Sequence, residues 1–357
     1  MTVVGLVAEI KPGERRCALT PAGARELARA GHDVVVQAGA GVGSDFSDAQ
    51  YAEAGASVVD DAASVWAQAE LLLKVKEPIA AEYDSLRAGL TLFTFLHLAA
   101  DRPLTEALVA SGTTALAYET IEDAEGRLPL LAPMSEIAGR LAGLAAAYFL
   151  QSPFGGRGVL IGGSPGVAPA RVSVLGGGVV GTHAARVACG MGADVTILER
   201  SLARVRQLEE RFDGRARVLM SSQAQIAETL SHSDAIIGAV LVPGAATPKL
   251  VTRAMLGLLP ARSVVVDVAI DQGGCFETST ATTHDKPTYV LDGVVHYCVA
   301  NMPGAVPRTS TSALTNATLP YISMLADLGL DGAIAADPGI APGVNVRGGE
   351  VAAAALT

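Results

Sequence analysis

Arg171-Val-Ser-Val-Leu-Gly-Gly-Gly-Val-Val-Gly181 decides how this chain is read. Val172 to Leu175 is a short apolar run of the kind that forms a buried strand, and it leads straight into glycines. Beyond them Val179, Val180, Ala184, Ala185 and Val187 mark the apolar side of a helix. Gly176, Gly178 and Gly181 fit G-x-G-x-x-G. In a dinucleotide fold the first glycine makes the turn, the second lets backbone approach a pyrophosphate, and the third allows tight helix–strand packing. The anion would rest on the free N–H groups of the helix N-terminus. The motif alone is weak, because glycine turns are common. Here a second strand, Asp194-Val-Thr-Ile-Leu198, follows and ends in Glu199. That acid stands roughly 20 residues past the motif, where such folds keep the carboxylate that binds the adenosine ribose. Strand, glycines, helix, strand and acid in that order predict a dinucleotide site rather than an empty α/β crossover.

Working outward, 357 residues suit two domains. Half of them are hydrophobic and only 17% charged, as expected for an α/β core of buried parallel strands. A net charge of −10 argues against nucleic acid or an anionic membrane as partner. The opening Met1-Thr-Val-Val-Gly-Leu6 enters a strand and lacks the basic start of a signal peptide. The longest uncharged apolar run, Leu141 to Gly156, contains Gln151, Ser152 and Pro153 and is too short to span a bilayer. The expectation is a soluble cytoplasmic protein. Cys17, Cys189, Cys275 and Cys298 are scattered without a C-x-x-C pair, so neither a disulfide framework nor a zinc site is indicated.

Taken in order, Val3 to Ile10 predicts a strand, and Lys11-Pro-Gly-Glu-Arg-Arg16 a loop. Thr20 caps a helix with Pro21 at its first position. His32 to Gln37, Ser57 to Val59, Leu71 to Lys76, Leu90 to Leu96 and Thr113 to Tyr118 read as further strands separated by helices or turns. This alternation predicts a parallel α/β sheet in its own right. The glycines of Gly39-Ala-Gly-Val-Gly43 lack both the helix and the acid of a dinucleotide site and read as a loop. Ser135 to Leu150 predicts a long alanine-rich connector helix. Ala235–Val240 and Ser263–Ile270 continue the nucleotide fold as strands, and Ala313–Asp327 is helical.

Ligands bind beyond the carboxyl ends of parallel strands. Four ionisable residues are predicted there. Arg16 lies in the loop after the first strand, Lys76 ends Leu71-Leu-Leu-Lys-Val-Lys, His97 ends Leu92-Phe-Thr-Phe-Leu-His, and Asp271 ends Val264-Val-Val-Asp-Val-Ala-Ile-Asp. Two cations can hold a substrate carboxylate, a histidine can move a proton as hydride leaves, and a carboxylate can balance charge. Each has a plainer alternative. Arg16 adjoins Arg15, Lys76 shares a strand face with Lys74 and either could be a solvated edge residue, and His97 follows an apolar run as a core histidine would. Asp267, inside the same strand, reads as structural. The residues by themselves reach a nicotinamide-dependent enzyme acting on a small anionic substrate.

Leu73-Lys-Val-Lys-Glu-Pro78, Phe93-Thr-Phe-Leu-His-Leu98, Ala132-Pro-Met-Ser-Glu136, Val240-Leu-Val-Pro-Gly244, Val268-Ala-Ile-Asp-Gln-Gly-Gly274 and Val299-Ala-Asn-Met-Pro303 carry a further signal. With these stretches the sequence resembles the bacterial L-alanine dehydrogenase family nearly end to end. The resemblance implies two Rossmann-like, doubly wound parallel-sheet domains of the α/β class. Residues 1–130 and 306–357 would form a discontinuous catalytic domain, with an NAD-binding domain, 131–305, inserted. It implies a homohexamer, NAD as cofactor, and reversible oxidation of L-alanine to pyruvate and ammonia. It implies Arg16 and Lys76 on the substrate, His97 as acid/base group and Asp271 as its partner. It further implies Ser135, Val179, Glu199, Arg204, Ser221, Val240, Leu241, Val268, Ala269, Ile270, Asp271, Val299, Ala300, Asn301 and Met302 around the cofactor, beside Gly176, Gly178 and Gly181. Four positions depart from the family. Glu199 stands where aspartate is common, Thr280 where some members have an arginine, and Met324 and Leu328 where some hold magnesium, so no metal is expected there. Two other readings stand beside this one: the nucleotide-binding portion of a proton-translocating transhydrogenase, and a catalytically inactive NAD-binding protein.

Overall fold

In the computed structural model the described residues are 1–240 and 247–352. They divide into two compact units, one of residues 1–134 with the chain from Val306 onward, the other Ser135–Ala305.

The first unit is built on β1 (Val3–Leu6), β2 (Asp33–Gln37), β3 (Ser57–Val59), β4 (Leu71–Leu73), β5 (Thr91–Thr94) and β6 (Thr114–Ala117). The second contains β7 (Arg171–Leu175), β8 (Asp194–Glu199), β9 (Arg217–Met220), β10 (Ala235–Gly238), β11 (Val264–Asp267), β12 (Thr288–Leu291) and β13 (Val294–Tyr297). β14 (Val344–Arg347) and β15 (Glu350–Val351) return to the first sheet. The sheet orders are β15-β14-β6-β5-β4-β1-β2-β3 and β12-β13-β11-β10-β7-β8-β9. Reversed, the first runs β3-β2-β1-β4-β5-β6 and the second β9-β8-β7-β10-β11-β13, six parallel strands each, with antiparallel strands only at one edge. This is the doubly wound order, and it puts a switch point between β1 and β4 in one unit and between β7 and β10 in the other.

The strands form because their residues are apolar without alternation. Leu71, Leu72 and Leu73 are all buried, as are Val264 to Asp267, which is what a strand covered on both faces requires. Leu72, Leu92, Leu104 and Val346 share a core in the first unit, and Val172, Val174, Ala184, Ile237 and Val266 in the second. Thr20 caps the helix Pro21–Arg29 by accepting the Gly23 N–H at 3.2 Å, as its sequence predicts.

The strands are shorter than the hydrophobic runs that predict them. β4 stops at Leu73, β5 at Thr94 and β11 at Asp267, so Lys76, His97 and Asp271 belong to the loops that follow, not to strand ends. Asp267 is the last residue of its strand rather than an interior one. Beyond the last helix the chain supplies two strands, β14 and β15, at one edge of the first sheet. The last helix runs from Pro307 to Ala336, longer than 313–327, contains Pro320 and breaks at Gly329 (φ 66°, ψ 175°). By length and composition it could cross a membrane. Ser310, Thr311, Leu314, Thr315 and Thr318 are nonetheless buried in the first unit, and Thr311 Oγ1 hydrogen-bonds Ser44 Oγ at 2.7 Å and accepts the Cys17 N–H at 3.0 Å. The two chain ends thereby hold the loop that carries Arg16.

Candidate active site

In the second unit β7 enters its glycine turn with Gly176 at φ 95°, a conformation that favours glycine. A Cβ on Gly181 would lie 1.8 Å from the Gly176 carbonyl oxygen, so the third glycine is a steric necessity. A Cβ on Gly178 would meet no protein atom within 4 Å, so internal packing makes no such demand there. Gly178 also begins the helix Val179–Gly190 without a side-chain cap, which leaves its leading N–H groups for an anion. Glu199, at the end of β8, accepts the Gly177 N–H through Oε2 at 2.8 Å and the Ser201 N–H through Oε1 at 2.9 Å. Arg204 braces the other side of the turn, donating from Nε to the Gly177 carbonyl at 2.8 Å and from Nη2 to Thr182 Oγ1 at 3.0 Å.

Ser221 follows β9, Val240 follows β10, Val268, Ala269, Ile270 and Asp271 follow β11, and Val299, Ala300, Asn301 and Met302 follow β13. These strands are parallel, so all these residues emerge at one edge of the sheet with the glycine turn and Glu199. Ser135 lies in the first turns of the helix Ala132–Phe149. Leu241 lies outside the described residues. The uncapped helix, the glycine turn and the acid at the end of β8 fit a dinucleotide.

Asp271 occupies the 3-10 turn Val268–Gln272, is exposed, and accepts the Asn301 N–H at 3.3 Å. Asp267 holds that turn from beneath. It accepts the N–H of Ala269 at 3.1 Å, the N–H of Cys275 at 2.9 Å and the hydroxyl of Ser279 at 2.6 Å. Burial pushes its carboxyl above the usual range despite these donors.

In the first unit Arg16, Lys76 and His97 lie in the loops that leave the carboxyl ends of β1, β4 and β5, which are parallel neighbours. Arg16 is buried, not a surface arginine. Its Nε donates to Glu14 Oε1 at 2.7 Å and its Nη2 to Glu14 Oε2 at 2.6 Å, a two-pronged pair, while Nη1 faces Met134 Sδ at 3.0 Å. Glu14 also accepts the Arg16 N–H at 3.0 Å.

The two lysines differ completely. Lys74 is 1% exposed, and its ammonium donates to Glu82 at 2.9 Å and Glu9 at 3.1 Å. Burial pulls its pKa down, but the two carboxylates outweigh burial and hold it above the usual lysine range. Glu9 shares that one ammonium, so burial pushes its carboxyl up. Through Oε1, Glu9 also accepts the N–H of Val75 at 2.5 Å and of Lys76 at 3.3 Å, tying down the backbone that presents Lys76. Lys76 itself is partly exposed. The solvated-edge reading therefore fails for Lys74.

His97 is exposed and has a left-handed backbone, φ 51° and ψ 35°. Its ring stacks on Phe95, with centroids 5.9 Å apart and planes 4° off parallel. The core-histidine alternative is thus excluded. Glu9, Glu14, Glu82 and Glu119, the carboxylates that hold these residues, were not among the candidates visible in the sequence. An acid inside the apolar run Val7-Ala-Glu-Ile10 is the one signal among them.

The family description "Alanine dehydrogenase/PNT, N-terminal domain" matches residues 5–138, and "Alanine dehydrogenase/PNT, C-terminal domain" matches residues 142–354. The chain belongs to the alanine dehydrogenase/PNT family. It is similar to the alanine dehydrogenase of Halomonas elongata, with 60% identity over 343 residues covering 96% of this chain and 92% of the relative. To that of Mycolicibacterium smegmatis it is 55% identical, covering 99% and 95%. A solved L-alanine dehydrogenase superposes with a TM-score of 0.96 at 49% identity, over 99% of this chain and 98% of the other. A transhydrogenase from Sinorhizobium meliloti superposes with a TM-score of 0.85 at 27% identity, over 99% of each chain. Alanine dehydrogenases imply a nicotinamide nucleotide.

Proposed function

We propose that this protein catalyses the NAD-dependent, reversible oxidative deamination of L-alanine to pyruvate and ammonia. The observation that carries the reading is that Arg16, Lys76 and His97 lie in the loops that leave the carboxyl ends of β1, β4 and β5, adjacent parallel strands of one sheet whose switch point falls between β1 and β4. The first unit is then the substrate domain and the second the NAD domain. Growth of the reduced-nicotinamide absorbance from L-alanine and NAD tests it. No turnover on L-alanine, with transfer of hydride between nucleotides instead, would favour the transhydrogenase reading that the Sinorhizobium neighbour raises. Nucleotide binding with neither activity would mark an inactive binding protein.

The nicotinamide, when bound, accepts or returns the hydride. The chain's own residues do the rest. Arg16 and Lys76 hold the substrate carboxylate by charge-assisted hydrogen bonds. His97 takes a proton from the substrate amine or from the water that adds to the imine, and gives it back in the reverse direction. Asp271 balances charge at the reacting carbon. The substrate ammonium must lose a proton before hydride leaves, so kcat/KM for L-alanine is expected to rise toward alkaline pH. A profile flat across pH 7 to 10 (roughly the window in which amines titrate) would count against that order of events.

NAD is expected to be preferred over NADP by roughly tenfold or more, because a ribose phosphate would face like charge. The Gly177 and Ser201 N–H groups keep the Glu199 carboxylate at that spot. Arg200, next in the chain, and Arg204, which braces the same turn, are cations that would oppose this. Equal catalytic efficiency with both nucleotides would remove Glu199 from the role.

We further propose a cytoplasmic homohexamer. Leu144, Tyr148, Phe154, Leu160 and Val167 are exposed on the second unit, and Tyr148 stacks on Phe154 with centroids 4.1 Å apart. Apolar clusters of this kind are characteristic of subunit contacts. Light scattering of the purified protein measures the mass, and a monomer would overturn the assignment.

A further inference from the structure

We propose that Glu119 is the positioning residue for His97: it holds the imidazole with its proton on Nδ1, and so leaves Nε2 as the nitrogen that exchanges a proton with the substrate. The inference rests on the reading of His97 as the acid/base group.

β5 and β6 are parallel neighbours in register, Thr94 opposite Ala117, so the loops leaving them run side by side. Glu119 lies just past the end of β6 in the short turn Tyr118–Thr120. Its carboxylate reaches across to the neighbouring loop. Oε1 accepts the His97 N–H at 2.6 Å and the Leu96 N–H at 3.1 Å, and Oε2 lies 3.3 Å from the same Leu96 nitrogen. A left-handed histidine is an uncommon conformation that its surroundings must impose, and these bonds impose it.

The oxygen that grips the backbone also faces the ring. Oε1 is 3.7 Å from His97 Nδ1. A carboxylate only accepts, so the nitrogen that faces it is the one that donates. In the neutral ring the other nitrogen, Nε2, is then the acceptor. The stacking of the ring on Phe95 limits its rotation. Glu119 is largely buried while the His97 side chain is 49% exposed, so the pair presents the imidazole and hides the carboxylate. At 3.7 Å the contact is longer than a hydrogen bond. Catalytic hydrogen bonds are often long before substrate binds and shorten in the complex. The arrangement matches, on an unrelated constellation, a buried acid that sets the tautomer of a catalytic histidine and stabilises the imidazolium as it forms.

Two measurements test the proposal. The first needs no variant of Glu119. Histidine-selective ¹⁵N NMR at alkaline pH, with the His97 signal assigned by its loss in His97→Asn, is expected to show the Nδ1–H tautomer. The Nε2–H tautomer in the wild type would overturn the proposal. The second is Glu119→Gln, whose amide oxygen still accepts the backbone N–H groups but carries no charge. It is expected to lower kcat roughly tenfold to a hundredfold, the effect of losing a charged hydrogen-bond partner. The KM for pyruvate should stay within about twofold, because Arg16 and Lys76 are untouched. Glu119→Asp, which keeps the charge on a shorter arm, should recover part of the loss. Wild-type kcat in Glu119→Gln would reduce Glu119 to a backbone cap and sink the proposal. If His97→Asn keeps full turnover, the acid/base reading of His97 is what fails, and the tautomer still reports whether Glu119 holds the ring.

Discussion

His97→Asn is expected to lower turnover with L-alanine by roughly a hundredfold to ten-thousandfold, the usual contribution of a positioned acid/base group. Asparagine is the cleaner replacement. His97 has φ 51°, and among non-glycine residues asparagine adopts that left-handed region readily, whereas alanine pays a strain of about 1–2 kcal/mol there. His97→Ala would therefore mix a chemical loss with a backbone one. The asparagine side chain can keep a hydrogen bond but moves no proton at neutral pH. Turnover should fall with both L-alanine and pyruvate as substrates, because the same group serves the two directions. Stopped-flow binding of pyruvate with NADH should be nearly unchanged, since Arg16 and Lys76 remain. A His97→Asn enzyme that turns over at the wild-type rate would leave His97 as an exposed loop residue.

Lys74→Met and Lys76→Met are expected to fail in different ways. Lys74 is the only cation that Glu9 and Glu82 share within hydrogen-bonding distance among the described residues, and all three side chains are nearly without solvent. Removing it strands two buried carboxylates, which costs about 3–5 kcal/mol when one partner of a buried pair is deleted. Natural domains hold only about 5–15 kcal/mol in total. Chemical or thermal unfolding should therefore show Lys74→Met as strongly destabilised. Lys76 is partly exposed, and its replacement should leave the unfolding transition close to wild type. Its cost is in turnover. On the way to the imine, ammonia adds to the pyruvate carbonyl and its oxygen gains negative charge before it leaves as water, and an ammonium beside that oxygen binds the transition state better than the ground state. Losing that contact costs about 1.5–3 kcal/mol, roughly a tenfold to hundredfold loss of kcat. Activity assays alone would confuse the two variants, because an unfolded enzyme is also inactive. A Lys74→Met protein that is as stable as wild type but inactive would identify Lys74 as the substrate lysine.

Much of the architecture was legible in the residues before any coordinates. The glycine turn of Gly176 to Gly181, the apolar run before it and Glu199 at the next strand end are all written within one short stretch. They are local, so spacing alone reveals them. The parallel character of both sheets follows from strands such as Leu71–Leu73 and Val264–Val266, whose unbroken apolar runs suit burial on both faces. Hydrophobic runs overstate strand length, however, because a buried loop residue is as apolar as a strand residue. Val75 and Leu96 are buried beyond the ends of β4 and β5, and the sequence shows no difference between them and the strands.

What the tertiary structure decided is the state of each charge. Lys74 and Lys76 look equivalent in Leu73-Lys-Val-Lys-Glu-Pro78, yet one is locked between Glu9 and Glu82 and the other emerges from a loop that Glu9 pins. Arg16 and Arg15 look equally exposed, yet Glu14 takes the Arg16 guanidinium out of water. Glu119 has no motif at all, and it acquires its partner only because β6 lies beside β5. Hydrophobic periodicity is a property of neighbouring residues, so the chain carries it openly. An ion pair between segments far apart in sequence leaves no periodic trace, and its existence waits on the sheet order that brings the segments together.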